Sequence, residues 1–239
     1  MRFVAKVVVL TGVGREGQVG ETVARAFAEE GAALVLLSRQ ASEVDARAAA
    51  LRAAGHDASA HACDLTDPTQ VAAVADAVRG RHSGRVHALV NLAGGFALSG
   101  PVAASDVEAW QRQIAINLTT AYVATRGFLP LVRAARGAVV FVASEAALPG
   151  ARVAEVSAYA AAKGGVLTLM RAVAQEERAA GVRANAIAPA AIRTATNVAA
   201  MGAEARYVSR EDVAAAILFL CSEEAHAVTG QVVALTTVG

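Results

Sequence analysis

Tyr159 and Lys163 are the two residues of this sequence whose types and spacing most directly indicate chemistry. They lie four positions apart in a segment with a helical pattern, so both side chains project from one face of the helix. A phenol has a pKa of about 10, and lowering it to about 7 takes about 4 kcal/mol of preferential stabilisation of the phenolate. A nearby ammonium group supplies part of that free energy. The pair therefore indicates acid–base catalysis, although the same spacing is common on amphipathic surface helices.

Two further polar residues fall where a structural element must position them. Ser144 follows a predicted strand at 138–142, so its hydroxyl would emerge at the carboxyl edge of a parallel sheet, where ligands bind. Asn117 stands among the apolar residues of a predicted helix, which indicates either an exposed face or a specific polar contact. Ser157 is a second hydroxyl close to Tyr159 in the sequence, and it remains an alternative to Ser144 as the catalytic hydroxyl.

A glycine-rich segment follows the first predicted strand. Gly12, Gly14 and Gly17 form the pattern G-x-G-x-x-G, and Gly20 follows at the start of a predicted helix. Glycines let the backbone turn tightly and approach a diphosphate, whose charge the helix N-terminus stabilises. The position directly after an apolar strand favours dinucleotide binding over an ordinary turn between strand and helix.

The end of the second predicted strand indicates which dinucleotide is bound. Ser38 and Arg39 stand there, and the first carboxylate comes only at Glu43. A guanidinium group pairs with a 2′-phosphate, whereas a carboxylate repels it. Arg15, in the glycine-rich segment, adds a second positive charge. These residues favour NADP(H) over NAD(H), unless both arginines are simply solvated.

The elements that position these residues alternate regularly along the chain. Apolar, β-branched runs predict strands at 4–10, 33–37, 58–62, 88–92, 138–142, 183–188 and 232–235. Ala-rich segments predict helices at 19–30, 42–54, 68–79, 105–135 (as one helix or two), 159–180 and 210–221. Several strands lack a polar face, so helices must cover both sides of a parallel sheet. We predict an α/β fold: a single Rossmann-like, doubly wound domain over residues 1–239, with a seven-stranded parallel sheet flanked by helices.

Composition excludes several other classes of protein. Hydrophobic residues make up 55% and charged residues 18%, which allows a large buried core, and the formal net charge of +1 gives no broad attraction to nucleic acid. The longest uncharged stretch is broken by glycine and proline, so no membrane segment is expected. Two cysteines, Cys63 and Cys221, indicate reduced thiols in a cytoplasmic protein. The five histidines lack the spacing of metal ligands, and we predict no metal site.

The motifs together resemble the short-chain dehydrogenase/reductase family. They occur in the order typical of that family and cover nearly the whole chain: the glycine-rich loop, Cys63-Asp64-Leu65, Asn91-Leu92-Ala93-Gly94, Asn117, Ser144, Tyr159 with Lys163, and Asn185-Ala186-Ile187-Ala188-Pro189 followed by Ile192 and Thr194. The resemblance implies that Tyr159 is the general acid. Lys163 would lower its pKa and hold the nicotinamide ribose. Ser144 would polarise the carbonyl group, and Asn117 would anchor a proton-relay water.

The resemblance also implies where the cofactor lies. Asp64 and Leu65 would border the adenine, the 91–94 segment would pass beside the ribose, and Thr194 would touch the nicotinamide carboxamide. The expected cofactor-binding residues are Gly12, Gly14, Arg15, Gly17, Gly20, Ser38, Arg39, Asp64, Leu65, Asn91, Ala93, Gly94, Tyr159, Lys163, Pro189, Ile192 and Thr194. Members of the family are commonly homodimers or homotetramers built through the helices that carry Asn117 and Tyr159, so the same is expected here.

Three features depart from the family pattern. The glycine-rich loop is two residues longer than usual and contains Glu16, and the segment 194–210, which carries the substrate lid, is short. Some motifs resemble the dihydropteridine reductase branch. The leading hypothesis is an NADP(H)-dependent oxidoreductase that reduces a small carbonyl compound or oxidises an alcohol, and the alternatives are a dihydropteridine or quinonoid-type reductase and a non-catalytic NADP sensor. Phe96 and Trp110 either face the substrate or pack in the core, and packing is the favoured interpretation.

Overall fold

Seven parallel strands form the sheet at the centre of the computed structural model, which describes residues 1–237. The strands are β1 (Val7–Thr11), β2 (Ala33–Ser38), β3 (Ala58–Ala62), β4 (Ala88–Asn91), β5 (Ala138–Val142), β6 (Arg183–Pro189) and β7 (Val232–Leu235). Their order across the sheet is β3-β2-β1-β4-β5-β6-β7. The order reverses between β1 and β4, which is the switch point where α/β sheets of this kind bind ligands. The predicted Rossmann-like α/β fold is confirmed.

Helices cover both faces of the sheet. They are α1 (Val19–Glu29), α2 (Ala41–Ala53), α3 (Pro68–Arg81), α4 (Val107–Ile114), α5 (Thr120–Ala135), α6 (Ser157–Glu176), α7 (Ala195–Met201) and α8 (Arg210–Cys221). Successive strand residues point to opposite faces, so Val9 of β1 packs in the core beneath α3, α5 and α6. Its neighbours Val8 and Leu10 pack in the core beneath α1, α2 and α8. Two cores explain why the strands have no polar face.

Local signals mark four ends of helical segments as the sequence predicts. Gly31, Gly55 and Gly181 follow helical segments and have φ of +88°, +87° and +77°, a left-handed conformation that glycine adopts without strain. Asp67 accepts hydrogen bonds from the backbone N–H groups of Thr69 and Gln70, and so caps α3.

Several predicted boundaries are wrong. The segment predicted as helix at 105–135 consists of α4 and α5, joined by a turn of π-helix at Ala115–Thr119. The first strand begins at Val7, because the segment 4–5 forms a turn in which Ala5 has φ +58° and Val4 is 60% exposed. The helix predicted at 159–180 begins at Ser157 and ends at Glu176, followed by one turn of 3₁₀ helix. The short helix α7 was not predicted, because its seven residues carry no apolar periodicity over two full turns. No helix within residues 1–237 is long and apolar enough to cross a membrane.

Candidate active site

The glycine-rich loop joins β1 to α1 and has no room for side chains at its two ends. Gly12 has φ +74°, and a β-carbon there would lie 2.8 Å from Cα of Ala93. A β-carbon on Gly20, in the first turn of α1, would lie 2.7 Å from the carbonyl oxygen of Gly12. Loop backbone, helix N-terminus and the end of β4 therefore meet around a surface free of side chains. That surface fits the diphosphate of a dinucleotide.

An ion-pair network holds the middle of this loop. The carboxylate of Glu21 accepts a hydrogen bond of 2.7 Å from the backbone N–H of Gly17 and also pairs with Arg47. Arg47 lies 3.5 Å from the carboxylate of Glu16, which is largely exposed. The negative charge of Glu16 is thus offset by Arg47. Arg15 is exposed at the surface of the loop.

The carboxyl end of β2 brings together groups of opposite charge. A β-carbon on Gly14 would lie 2.8 Å from the hydroxyl oxygen of Ser38 and 2.6 Å from a carboxylate oxygen of Glu43. Glu43 therefore lies beside the predicted binding site of the 2′-phosphate, although it stands four residues beyond Arg39 in the sequence. Arg39 itself is exposed.

The end of β3 lies next to this group. The Asp64 carboxylate accepts hydrogen bonds from the backbone and hydroxyl groups of Thr66, and these bonds are the main cause of its lowered pKa. The positive charge of Arg39 lowers that pKa further. Leu65 is buried in the core. Asp64 thus holds its own turn and remains partly exposed to a ligand.

Hydrogen bonds fix the segment after β4. Asn91 is buried and donates from Nδ2 to Oγ1 of Thr125 at 3.0 Å. The backbone N–H of Ala93 donates to Oγ1 of Thr11 at 3.1 Å. Gly94 follows, and a β-carbon there would lie 2.6 Å from Oδ1 of Asn117 and 3.3 Å from Nζ of Lys163. Gly94 therefore lies between the amide group of Asn117 and the ammonium group of Lys163.

Tyr159 lies at the start of α6 with Ser144 beside it. Ser144 is buried just beyond β5, where its hydroxyl oxygen accepts a hydrogen bond from the N–H of Ala146 and lies close enough to the Tyr159 phenol to lower the pKa of that phenol. The hydroxyl oxygen of Ser157 instead lies 3.3 Å from that of Ser99. Of the two candidate hydroxyls, the structure places Ser144 against the phenol.

Phe96 forms one wall of the space over Tyr159. Their ring centroids are 5.1 Å apart, and the ring planes meet at 82°, an edge-to-face arrangement. Phe96 is 61% exposed and Trp110 is 39% exposed. Phe96 thus packs on the Tyr159 ring with one side, while the rest of its surface is exposed.

Burial sets the protonation of the central pair. Burial raises the pKa of Tyr159, the hydrogen bond from Ser144 lowers it, and the charge of Glu145 raises it, with a net increase. Burial lowers the pKa of Lys163 to about 8. The Lys163 ammonium donates a 2.8 Å hydrogen bond to the carbonyl oxygen of Val142, at the end of β5. Its nitrogen lies 5.8 Å from the centroid of the Tyr159 ring. The structure thus pairs a protonated phenol with a cation that loses its charge in mildly alkaline solution.

Asn117 lies in a turn of π-helix, Ala115–Thr119, that joins α4 to α5. Its Nδ2 donates to the carbonyl oxygen of Gly95 at 2.9 Å and to Gln113, and its Oδ1 accepts from the N–H of Gly95 at 3.1 Å. The extra residue of the π turn directs the amide inward, where it is 1% exposed. Asn117 thus holds the backbone at Gly95, next to Gly94 and Lys163.

The end of β6 completes the site. Pro189 is the last residue of β6, and Ile192 pairs with Val208 in an isolated bridge. Thr194 caps α7, because its side chain accepts a 3.2 Å hydrogen bond from the N–H of Asn197. Nδ2 of Asn197 donates to the carbonyl oxygen of Ile192 at 2.8 Å. These bonds hold the 189–194 segment at the same edge of the sheet as Ser144 and the glycine-rich loop.

Comparison with known proteins identifies the family. The sequence model described as enoyl-(acyl carrier protein) reductase matches residues 12–236. The chain is 36% identical over 244 residues to cis-4-hydroxycyclohexanecarboxylate dehydrogenase of Sinomonas cyclohexanicum, covering 98% of this chain and 96% of that protein. It is 32% identical over 240 residues to meso-2,3-butanediol dehydrogenase of Serratia marcescens, with 96% and 92% covered. The structure of a short-chain type dehydrogenase/reductase from Mycobacterium ulcerans matches with a TM-score of 0.90 and 30% identity, over 98% of this chain and 89% of that one. The chain belongs to the short-chain dehydrogenase/reductase family.

Membership makes this protein an NAD(P)-dependent oxidoreductase. Bound nicotinamide dinucleotide supplies or accepts a hydride in such enzymes. The residues of this short-chain dehydrogenase/reductase fit the cofactor, since Gly12, Gly20 and Gly94 leave a continuous surface where a β-carbon would collide with its neighbours. Ser144, Tyr159 and Lys163 lie at the same edge of the sheet.

Sequence reasoning missed two residues of this dehydrogenase/reductase site. Thr11 is 1% exposed, and its hydroxyl accepts from the N–H groups of Leu92 and Ala93, so it ties the end of β1 to the end of β4. A single hydroxyl that ends a wholly apolar strand was the available signal. Gln113 is 6% exposed, and its backbone carbonyl oxygen accepts a 3.1 Å hydrogen bond from Nδ2 of Asn117. Its spacing of four from Asn117 was the corresponding signal.

Proposed function

We propose that this protein is an NADP(H)-dependent reductase of small carbonyl compounds, with Tyr159 as its general acid. The observation that carries the proposal is the position of the half-buried Tyr159 phenol, next to Ser144 and with the Lys163 ammonium nitrogen 5.8 Å from the centroid of its ring. A raised pKa keeps the phenol protonated in the free enzyme. That state suits proton donation to a carbonyl oxygen, which is the direction of reduction.

In this proposal, each residue has a defined part in one proton transfer. When bound, NADPH would supply the hydride for the carbonyl carbon. Ser144 donates a hydrogen bond to the carbonyl oxygen, and Tyr159 passes its proton to the same oxygen as the new C–H bond forms. The phenolate that remains is stabilised by the Lys163 ammonium and regains a proton from solvent. Asn117 holds the backbone beside Lys163 through its bonds to Gly95.

The exposed apolar side chains of the loop after β4 support a substrate with an apolar body. Phe96 is 61% exposed and Leu98 is 69% exposed, and the adjacent Ser99 is fixed by a 2.7 Å hydrogen bond from its N–H to the carbonyl oxygen of Glu155. Burying such side chains against a ligand contributes about 25 cal/mol per Å² of apolar surface. We therefore expect a cyclic or aromatic ketone to be reduced more efficiently than a polyhydroxylated one.

The preference for NADP(H) rests on Arg15 and Arg39. Both residues are exposed, Arg15 in the glycine-rich loop and Arg39 directly after β2, and we propose that their guanidinium groups are available to a 2′-phosphate. Glu43 lies at the same place and would favour the free 2′-hydroxyl of NAD(H). We propose that the exposed positive charges of Arg15 and Arg39 outweigh the charge of Glu43, so that the phosphate is preferred.

Turnover with each cofactor tests this proposal. NADPH and NADH oxidation is measured with cyclic ketones, aromatic ketones, diketones and polyhydroxylated ketones, for wild type and Arg39→Ala. We expect NADPH to be preferred and the ratio of the two kcat/KM values to fall about 30-fold in Arg39→Ala, as for the loss of one charge-assisted contact. A wild-type preference for NADH would contradict the cofactor assignment, and binding of NADPH without turnover of any substrate would contradict the enzymatic one.

The pH dependence of reduction follows from the pKa of Lys163. Its pKa is lowered to about 8, so its charge is present below pH 8 and lost as pH rises through that value. Tyr159, whose pKa is raised, remains protonated there. We expect kcat/KM for reduction, which reports the free enzyme, to decline above about pH 8. A profile that stays flat to about pH 10 would show that the ammonium charge is not needed.

We also propose a cytoplasmic location and a homodimer or homotetramer. The thiols of Cys63 and Cys221 are both buried, and burial raises their pKa to about 11 and about 12, which keeps them in the thiol form. Tyr122 of α5, 51% exposed, and Leu129 line a groove between α5 and α6, which supports contact between subunits there.

A further inference from the structure

We infer that Arg210 is part of the cofactor site and pairs with the diphosphate of the bound dinucleotide, an inference that rests on the dinucleotide site proposed above. Arg210 is the first residue of α8, far from the glycine-rich loop in the sequence. In space the two meet: a β-carbon on Gly17 would lie 4.0 Å from Nη1 of Arg210 and 3.9 Å from the β-carbon of Ala195. The guanidinium thus lies over the middle of the loop, at the start of α7.

Arg210 has no carboxylate partner among the Asp and Glu side chains of the described residues 1–237. Within residues 1–237, no Asp or Glu oxygen lies within 4.0 Å of its guanidinium nitrogens. The nearby carboxylates of Glu16 and Glu21 are both paired with Arg47. Asp212, two residues along α8, accepts a hydrogen bond from the hydroxyl of Ser209. A half-buried guanidinium without a carboxylate beside a diphosphate-binding loop is suited to an anionic ligand.

The longer loop explains why this dehydrogenase/reductase would need such a residue. The N–H of Gly17 donates to the carboxylate of Glu21, so one loop amide is occupied by a negative group and is not free for phosphate. A glycine at position 17 leaves the space toward Arg210 open. The guanidinium would therefore supply the positive charge that this part of the loop lacks.

A second contact joins the loop to the segment that carries Arg210. Nε2 of Gln18 donates to Oγ1 of Thr196, in α7, at 3.3 Å. The loop, the start of α7 and the start of α8 thus form one continuous wall. A diphosphate held by this wall would touch all three, and Arg210 would make its binding depend on the position of α7.

Arg210 at the diphosphate and Arg39 at the 2′-phosphate would affect the affinities for different ligands. Loss of the Arg210 charge removes a charge-assisted hydrogen bond to a group that NADPH and NADH share. Arg210→Gln should therefore weaken both dinucleotides about 10-fold. Adenosine 2′-monophosphate, which has no diphosphate, should bind as it does to wild type.

Direct measurement of ligand binding tests the role of Arg210 without relying on catalysis. Dissociation constants for NADPH, NADH and adenosine 2′-monophosphate are measured by isothermal titration calorimetry with wild type, Arg210→Gln, Arg210→Lys and Arg206→Gln. Arg206 is an exposed arginine of the same segment and gives the matched loss of charge. We expect both dinucleotides to weaken in Arg210→Gln, partial retention in Arg210→Lys and wild-type binding in Arg206→Gln.

Other outcomes separate the possible failures. Dinucleotide binding by Arg210→Gln within about twofold of wild type overturns the assignment of Arg210 and leaves the proposed function standing. An equal loss for adenosine 2′-monophosphate, or the same loss in Arg206→Gln, shows a general effect of charge and also overturns it. If wild type binds neither dinucleotide, the proposed function itself fails.

Discussion

Tyr159→Phe is expected to lower kcat/KM for carbonyl reduction by about 1,000-fold, while the dissociation constant for NADPH stays within about twofold of wild type. The substitution removes only the phenolic oxygen, the group whose pKa the neighbouring Ser144 lowers. The ring remains, so its edge-to-face contact with Phe96 and its packing at the start of α6 are retained. Steady-state kinetics with the best ketone and a fluorescence titration of NADPH measure the two quantities.

A control variant separates chemistry from folding. Tyr122→Phe removes a phenolic oxygen from a tyrosine that is 51% exposed on α5, and its kcat/KM should match wild type. Thermal unfolding should place all three proteins within about 2 °C of each other. Retention by Tyr159→Phe of more than about a tenth of the wild-type kcat/KM would show that another group donates the proton.

Gly94→Ala is expected to lower kcat/KM about 100-fold, because it displaces the groups that surround Lys163. The added methyl carbon would lie 2.6 Å from Oδ1 of Asn117, closer than any carbon and oxygen can stand without bonding, and 3.3 Å from Nζ of Lys163. Asn117 cannot easily move aside, since it is buried and bonded to Gly95 and Gln113. The ammonium or the backbone must shift.

The neighbouring glycine provides the matched control. A β-carbon on Gly95 would meet only Cδ1 of Ile116, at 3.3 Å, which is the flexible end of a side chain. Gly95→Ala should therefore keep kcat/KM within about threefold of wild type. The same loss in both variants would indicate general damage to the 91–95 segment, and full activity of Gly94→Ala would show that Asn117 and Lys163 tolerate displacement.

The sequence contains enough information to predict the sheet and the edge at which the site forms. β1 and β5 are apolar at nearly every position, which only a sheet covered on both faces can accommodate. Glycines with positive φ mark the helix ends, as at Gly31 and Gly181. The residues after each strand then fall at one edge, because parallel strands all end there.

The remainder depends on contacts between distant segments, which local patterns do not encode. The inward direction of Asn117 requires a π turn, and no residue preference distinguishes that turn from ordinary α-helix. The exposure of Phe96 follows from where the loop after β4 meets α6, and Phe is a typical core residue. Likewise, the position of Glu43 beside Ser38 arises because α2 begins directly beyond β2.

The strand order has a consequence for the chain as it is synthesised. β1 lies between β2 and β4, with Val8 opposite Leu34 on one side and Ala88 on the other. Until residue 91 has left the ribosome, one hydrogen-bonding edge of this wholly apolar strand has no partner. Such an edge pairs readily with other chains. The nascent chain is therefore prone to aggregation at the stage before β4 has been synthesised. Pairing of β4 with β1 ends that stage.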